Sequence, residues 1–330
     1  MNATYFPGAN TGVGFVSRFS GIVPREAEQH YTYVLKGGPG VGKSTLMRKV
    51  AERAAARGLA VEEFRCASDP DSFDAVRVPA LHAVLLDGTA PHSIDPLIPG
   101  ACDEVVDLGH FLHHAEFMGK ADALRALFAE NRTHYDRAYA CLAAARALAQ
   151  TAVDAAAASV DLAAVRAYLA PLFAAERAGE SRRLFCRSAT PKGVVDFADT
   201  LGLADCRHFH GAVGAVVLRE AASLAVGRAV TLLDDFILPE IPRRVLLPEK
   251  GLALCNTEDG ADDAIGFLRA PLPDFVAYAA GESRALVARA TEELAACLAV
   301  HDNIEAIYRP FVDYARVDRE SEALFERLGL

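Results

Sequence analysis

A glycine-rich segment that ends in a lysine and a hydroxyl side chain is the part of this sequence best suited to bind a ligand. Its spacing is G-x-x-x-x-G-K-[ST], which holds phosphate groups when it follows a strand and opens a helix. Glycines allow positive φ and close approach of the backbone, so successive N–H groups can surround a phosphate. The residues expected to bind are Gly37, Gly38, Pro39, Gly40, Val41, Gly42, Lys43, Ser44 and Thr45.

Two side chains of this segment are expected to have separate roles with a nucleotide. Lys43 would act in catalysis by bridging the β- and γ-phosphate oxygens, and the hydroxyl of Ser44 would coordinate Mg²⁺. The helix N-terminus adds its dipole to the attraction for an anion. Nucleotide binding together with Mg²⁺ is therefore the main functional expectation.

A carboxylate follows an apolar run farther along the chain. Asp87 comes directly after Ala83-Val84-Leu85-Leu86, which is the Walker B pattern. At the end of a strand near the phosphate-binding segment, this carboxylate is expected to take part in catalysis and to hold Mg²⁺ directly or through water. Glycine, not glutamate, comes next, so the group that activates the nucleophile must come from elsewhere.

Several acidic and imidazole side chains could supply that activating group. The acidic segment 68–74 follows a predicted strand whose carboxyl end should face the ligand crevice. The alternative is a solvated loop in which Asp and Ser cap a helix. The main catalytic candidates are Asp69 and His92, and the further candidates are Asp71, Asp74 and Asp95.

The flanking sequence predicts the elements that would position these residues. Residues 31–35 form a β-branched and aromatic run typical of a buried strand, and residues 43–57 carry apolar side chains on one helical face. Residues 59–64 and 83–86 are also predicted to be strands. This order of strands and helix indicates an α/β fold with a parallel sheet and crossover connections.

An internal repeat divides the chain near residue 182. Thr11-x-x-Gly14 recurs as Thr190-x-x-Gly193, and residues 79–87 align with residues 248–256 without a gap. The alternative is an unrelated α/β domain that happens to align. The predicted parts are a first unit of residues 1–182 (α/β 1–119, helical hairpin 120–182) and a second unit of residues 183–330 (α/β 183–276, helical hairpin 277–330).

The second unit is predicted to lack the phosphate-binding side chains of the first. Ala215-Val216 aligns with Lys43-Ser44, and Asn256 aligns with Asp87. Without the lysine charge and the hydroxyl, this unit should not hydrolyse ATP, so it would be a structural or regulatory partner. It could still donate a cation to the first unit, and Lys192 and Arg187 are the candidates.

Composition argues against several other classes of protein. The 330 residues include 34 basic and 44 acidic side chains, and a net charge of −10 is unfavourable for binding nucleic acid or anionic lipid. The seven cysteines are scattered without a Cys-x-x-Cys pair, so neither a disulfide framework nor a zinc ribbon is indicated. We expect a cytoplasmic protein that does not associate with nucleic acid or with a membrane.

These motifs resemble those of a bacterial family of tandem P-loop ATPase-like proteins. The resemblance is carried by residues 36–45, 68–72, 87–92 and 190–193. It implies two P-loop NTPase-like units in tandem and ATP as the nucleotide. Members of the family often keep an intact loop in both units, whereas this sequence keeps one, so the second unit is expected to be degenerate.

Three functions are compatible with these residues. The leading expectation is Mg-dependent ATP hydrolysis in the first unit, with the second unit and the helical hairpins responding to the state of the nucleotide. A second is a P-loop kinase that transfers the γ-phosphoryl group to a small molecule held beneath the hairpin. A third is a nucleotide-sensing scaffold that binds ATP without turnover. The sequence does not identify the protein or small molecule that would act with it.

Overall fold

The structure is a computed structural model that describes residues 2–23, 30–90, 93–202, 205–258 and 265–330. It has a mixed α/β architecture with three sheets. The strands are β1 (Ala3–Tyr5), β2 (Gly8–Thr11), β3 (Gly14–Ser17), β4 (Tyr31–Lys36), β5 (Glu62–Cys66), β6 (Asp69–Val78), β7 (Ala83–Asp87), β8 (Asp103–Asp107), β9 (Arg182–Leu184), β10 (Arg187–Thr190), β11 (Gly193–Asp196), β12 (Asp205–His210), β13 (Thr231–Asp234), β14 (Pro242–Leu247) and β15 (Leu252–Thr257). The α-helices are α1 (Lys43–Ala56), α2 (His114–Phe117), α3 (Ala121–Ser159), α4 (Leu162–Ala174), α5 (Gly211–Leu224), α6 (Asp274–Tyr308) and α7 (Tyr314–Leu328).

The strand predicted over residues 31–35 and the helix predicted over residues 43–57 are confirmed by β4 and α1.

The first sheet has six strands in the order β1-β5-β6-β7-β4-β8. Strands β7, β4 and β8 are mutually parallel, but β6 runs antiparallel to both β5 and β7. The prediction of parallel sheets is therefore wrong. The physical reason is the length of the connections: two residues join β5 to β6 and four join β6 to β7, too few for the crossover that parallel neighbours need.

The second sheet repeats this topology. Its order is β12-β15-β14-β13-β9, so β9, β13, β14, β15 and β12 stand where β1, β5, β6, β7 and β4 stand in the first sheet. The orientations also correspond, with parallel pairs at both ends and two antiparallel pairs in the middle. Strand β8 has no counterpart in the second sheet, among the residues the structure describes.

A third, antiparallel sheet joins the two halves of the chain. Its order is β11-β10-β2-β3, and β10 meets β2 where Ala189 pairs with Asn10. The two outer turns have the same hydrogen bonds. Thr11 donates its hydroxyl to Gly14 O at 2.6 Å, and Thr190 donates to Gly193 O at 2.8 Å. The repeated Thr-x-x-Gly motif therefore forms the same turn in both halves.

The two long helices α3 and α6 pack against each other as an antiparallel pair. His134 Nδ1 lies 2.9 Å from Glu293 Oε2, and Ser283 donates to Ala145 O at 3.3 Å. Apolar residues of both helices bury against β10 and β2 in one core cluster. Within the described part of the chain, no helix has an apolar stretch long enough to cross a membrane.

The short helices that follow α3 and α6 are exchanged between the two halves. Val165 and Leu169 of α4 pack with Val217 of α5 in the second half of the chain. Val317 and Phe325 of α7 pack with α1 in the first half. As a result, the exchanged helix that contacts the glycine-rich segment 37–42 is α7, residues 314–328.

Candidate functional site

The glycine loop, residues 37–42, connects the end of β4 to the first residue of α1. Gly37, Gly40 and Gly42 have φ values of 142°, 72° and 104°, which side-chain-bearing residues rarely adopt. Gly42 is the N-cap residue of α1, and the N–H groups of the first helical turn have no intrahelical acceptors. This geometry produces a set of backbone donors at a helix N-terminus, which is suited to an anion.

The side chain of Lys43 turns back into the glycine loop. Its Nζ donates to Gly37 O at 2.6 Å and to Gly38 O at 3.0 Å. The same ammonium lies 3.6 Å from Asp87 Oδ2, and the Lys43 side chain is only 10% exposed. The loop therefore holds a positive charge beside its backbone donors, next to the carboxylate that the sequence predicts as its partner.

Asp87 stands at the end of β7, next to the strand that leads into the loop. The parallel register pairs it with Leu35 of β4. Its Oδ1 accepts a hydrogen bond from Thr89 N at 2.8 Å, and Thr89 Oγ1 donates to Gly37 O at 3.2 Å. Asp87 is thus oriented by a turn that is itself bonded to the glycine loop.

The predicted Mg²⁺ ligands, Ser44 and Asp87, fit a cation that is shared with phosphate oxygens. Ser44 Oγ accepts a hydrogen bond from Phe73 N at 3.0 Å, which leaves a second lone pair on the hydroxyl. The Asp87 carboxylate likewise keeps acceptor sites beyond its bond to Thr89. Among the described residues, no group of three or more His, Cys, Asp or Glu side chains could hold a metal ion by itself.

Asp74 is the candidate base that the fold brings closest to this chemistry. It lies in β6, where the antiparallel register pairs Ala75 with Leu86, so Asp74 and Asp87 stand at the same end of adjacent strands. Asp74 is 4% exposed. Burial and then the negative charge of Asp87 raise the pKa of Asp74 from 3.8 to about 7, and the hydrogen bond with Cys66 and then the charge of Lys43 oppose this rise.

The other predicted bases have different surroundings. Asp69 accepts from Ser72 Oγ at 2.5 Å and from the Asp71 backbone N–H at 3.2 Å, so it orders the turn at the start of β6. Asp95 forms an ion pair with Lys36 at 3.0 Å and is 85% exposed. The other main catalytic candidate, at position 92, lies outside the described residues.

The two predicted cation donors of the second unit have different positions. Lys192 forms an ion pair with Asp71, and this hydrogen bond lowers the pKa of Asp71. Lys192 therefore reaches the acidic segment of the first unit. Arg187 instead pairs with Glu258 at 2.5 Å and remains among carboxylates of the second unit.

Between β12 and α5, where every residue is described, the second unit has no equivalent of the glycine loop. Strand β12 ends at His210 and α5 begins at the next residue, Gly211. Ala215 and Val216 lie inside α5 and are buried, so their predicted alignment with Lys43-Ser44 is wrong. The physical reason is that the second unit has no loop between its strand β12 and its helix α5. An alignment that allows no gap at this point does not detect the missing loop.

Asn256 nevertheless occupies the place in the second sheet that Asp87 has in the first. It pairs with Phe209 on β12, as Asp87 pairs with Leu35 on β4. Its Nδ2 donates to Gly211 O at 3.0 Å, at the start of α5. The amide thus fastens a helix to a strand where the first unit has the glycine loop.

The C-terminal corner, residues 305–317, packs directly on the glycine loop. A Cβ on Gly38 would lie 2.4 Å from Tyr308 Cε1, and one on Gly40 would lie 3.3 Å from Arg309 Cγ. Tyr314 donates its hydroxyl to Gly40 O at 2.8 Å. Sequence analysis did not identify this contact, because no local pattern signals packing between residues so far apart in the chain.

A groove of about 480 Å³ lies between β8 and α7, beneath the C-terminal hairpin. Its walls include Asp107 and His110 on one side and Glu320 and Arg327 on the other. Gly109, close to Asp107, has its backbone nitrogen 3.0 Å from where a Cβ on Gly37 would lie. The segment that contains Gly109 thus contacts the glycine loop, and its neighbours Asp107 and His110 line the groove, whose volume is in the range of small-molecule sites.

No family model, no curated protein and no solved structure matches this chain. Functional reasoning about the chain consequently depends on its own residues: the glycine loop, the carboxylates beside it and the C-terminal corner that covers it.

Proposed function

We propose that this chain binds Mg-ATP at the glycine loop of the first unit and hydrolyses the bound nucleotide. The observation that carries the proposal is the position of the Lys43 ammonium, 2.6 Å from Gly37 O and 3.6 Å from Asp87 Oδ2. A cation folded into a loop of backbone donors is the arrangement that a polyphosphate requires. On binding, Lys43 would exchange its carbonyl partners for phosphate oxygens.

Ser44 and Asp87 would hold the magnesium ion that accompanies the nucleotide. The ion supplies charge neutralisation for the phosphates. Ser44 is fixed by its bond from Phe73 N, and Asp87 by its bond from Thr89 N, so both oxygens are oriented before the ligand arrives. This preorganisation supports a divalent cation at the loop.

Asp74 is the proposed proton acceptor for the nucleophile. It stands beside Asp87 on the adjacent strand, and its pKa of about 7 is near the value that suits a general base in neutral solution. In its ionised form, it can take the proton that an attacking water gives up. Asp69, one of the bases expected from the sequence, remains a second candidate through its place in the same segment.

The second unit would act as a structural or regulatory partner without its own nucleotide. Its strand and helix join directly, without a loop that could surround phosphates. The exchanged helix α7 and the C-terminal corner link that partner role to the first site, because they contact the glycine loop itself.

Equilibrium binding of Mg-ATP to the full-length wild type and to Lys43→Ala tests the proposed function. We expect Lys43→Ala to weaken binding by about tenfold or more, since it removes a charge-assisted contact. Lys49→Ala is the matched control, because Lys49 lies on the same helix but points to Asp318 at 3.1 Å. Equal ATP affinity in the wild type and in Lys43→Ala would end the proposal.

Phosphoryl transfer to a small molecule is a second candidate function, favoured by the groove beneath α7. The groove carries polar side chains such as Asp107 and Arg327, which could orient an acceptor, and Gly109, next to His110 of the groove wall, contacts the glycine loop. Labelled ATP incubated with a metabolite pool should then give a labelled organic product. Release of labelled inorganic phosphate alone, Mg-dependent and abolished by Asp87→Asn, would favour hydrolysis over both the kinase and the non-hydrolysing scaffold.

A further inference from the structure

We infer that Arg309 contacts the terminal phosphate of the bound nucleotide, as a cation supplied by the C-terminal corner. The inference rests on the proposed ATP site and adds a residue to it. Its starting observation is that the Arg309 side chain lies against Gly40, in the middle of the glycine loop.

The backbone around Arg309 is fixed over the loop by contacts on both sides. The ring of Tyr308 covers Gly38, and Tyr314 donates to Gly40 O at 2.8 Å. The corner is also joined to the segment after β8, where Asp313 N donates to Phe111 O at 2.9 Å. The stem of Arg309 is therefore held beside Gly40, and the guanidinium extends from this fixed support.

The guanidinium itself is held only by a weak interaction. It donates to Glu305 Oε2 at 2.5 Å, one turn earlier in α6, and the Arg309 side chain is 60% exposed. Arg309 is largely solvated in this pair, whereas the Glu305 side chain is 22% exposed, and ion pairs four residues apart on a helix contribute little free energy. A phosphate can therefore displace Glu305 and take the guanidinium in a forked, charge-assisted contact.

Other cations near the site are committed elsewhere. Lys36 has three oxygen acceptors at 2.7 to 3.0 Å. Lys192 and Arg187, the donors expected from the second unit, are each held in an ion pair with a carboxylate. Arg309 differs from these cations because its side chain contacts the glycine loop at Gly40 and is 60% exposed, while its guanidinium pairs with Glu305.

The expected consequence is discrimination between nucleotides with and without a γ-phosphate. ADP would occupy the loop and Lys43 but would not reach Arg309. A guanidinium on the terminal phosphate also stabilises the charge of phosphoryl transfer, so its loss should lower turnover more than it lowers ADP binding. Binding alone suffices to test the contact, independently of turnover.

The test measures the affinities of a non-hydrolysable ATP analogue and of ADP, each with Mg²⁺, for the full-length protein. We expect Arg309→Ala to weaken analogue binding by about tenfold while ADP affinity stays unchanged. Arg309→Lys, which keeps the charge but not the fork, should recover part of the loss. Arg316→Ala is the control, because Arg316 lies on the same corner but stacks on Phe111, 4.9 Å from the ring centroid.

The outcomes separate this inference from the proposed function. An analogue-to-ADP affinity ratio that is the same in Arg309→Ala and wild type would overturn the role of Arg309 and leave the ATP site standing. Equal affinities of the wild type for analogue and ADP would do the same. Failure of the wild type to bind either nucleotide would overturn the proposed function, and with it the inference.

Discussion

The hydroxyl of Tyr314 donates to the carbonyl oxygen of Gly40 at 2.8 Å, across a separation of 274 residues. The contact joins the last helix of the chain to the middle of the glycine loop. Helix α7 also packs on α1, the helix that begins at the loop. A movement of the loop on ligand binding would therefore also displace α7. Helix α7 thus contacts the glycine loop of the first unit, although it lies in the second unit by sequence.

Tyr314→Phe tests the energetic contribution of this contact. The change removes one hydroxyl donor and leaves Gly40 O without it, so the free energy of unfolding should fall by about 0.5–1.5 kcal/mol. Denaturant unfolding gives the value. Tyr278→Phe, at an exposed tyrosine of α6 beside Phe275, is the control and should have no measurable effect. Equal losses in the two variants would contradict the role of Tyr314.

Gly38→Ala tests the packing of the C-terminal corner on the glycine loop. The new Cβ would lie 2.4 Å from Tyr308 Cε1, so the variant should lose about 1–3 kcal/mol of stability through overpacking. In a Tyr308→Ala background the same change should cost less, because the ring is gone. Gly119→Ala is the control, since a Cβ there would meet no atom within 4 Å. Additive effects of the two changes would contradict the contact.

Asp74→Asn tests whether the buried carboxyl of Asp74 lowers the stability of the folded protein at neutral pH while it serves the proposed reaction. The folded-state pKa of about 7 lies above the ordinary 3.8, so the contribution of Asp74 to stability is most favourable below pH 4 and is lost as the pH rises to about 7. A pKa difference of about 3 corresponds to ~4 kcal/mol at most. Relative to wild type, Asp74→Asn should gain stability progressively over this pH range.

The same variant should lose phosphate release, since an amide cannot accept the proton of the nucleophile. Thermal unfolding measured from pH 4 to pH 8, together with turnover, checks both parts. Asp136→Asn, at an exposed position of α3, is the control and should change neither property. A variant that is no more stable than wild type at pH 8, or that keeps full turnover, would contradict this account of Asp74.

Asn256→Asp tests whether Asn256, which stands where Asp87 stands in the first unit, has a structural role and binds no ligand. Asn256 is 8% exposed, and its amide donates to Gly211 O, which a carboxylate cannot do. Stability should fall by about 1–3 kcal/mol, while the affinity for Mg-ATP should stay unchanged. Asn303→Asp, at an exposed position of α6, should affect neither property. A change in nucleotide affinity would indicate a ligand site in the second unit.

Local features of the chain were predictable from its sequence, and the contacts that complete the candidate site were not. The β4 strand, the turn glycines and the start of α1 at Lys43 follow from short patterns that act over a few residues. The contact of Tyr308 and Tyr314 with the loop arises from tertiary packing of an exchanged helix. Such packing leaves no periodic signal in either segment.

The internal repeat shows the same limit. The Thr-x-x-Gly turns and the match of Asp87 with Asn256 were found because the spacing of the residues is the same in both halves over these short segments. Both halves also have the same structure at these turns and strand pairs. Between β12 and α5 the second half lacks the loop. Aligning the two sequences without allowing for this missing loop placed Lys43 against Ala215, which lies inside a helix. The antiparallel orientation of β6 likewise follows from the short connections before and after it. The residue pattern of a strand alone does not predict its orientation.

A structure of the full-length protein with Mg²⁺ and a non-hydrolysable ATP analogue tests the central claim most directly. The account predicts the β-phosphate within hydrogen-bond distance of the backbone N–H groups of residues 40–44, with Lys43 Nζ released from Gly37 O and Gly38 O and bonded to phosphate oxygens. An analogue bound elsewhere, or Lys43 still bonded to the two carbonyl oxygens beside an empty loop, would contradict it.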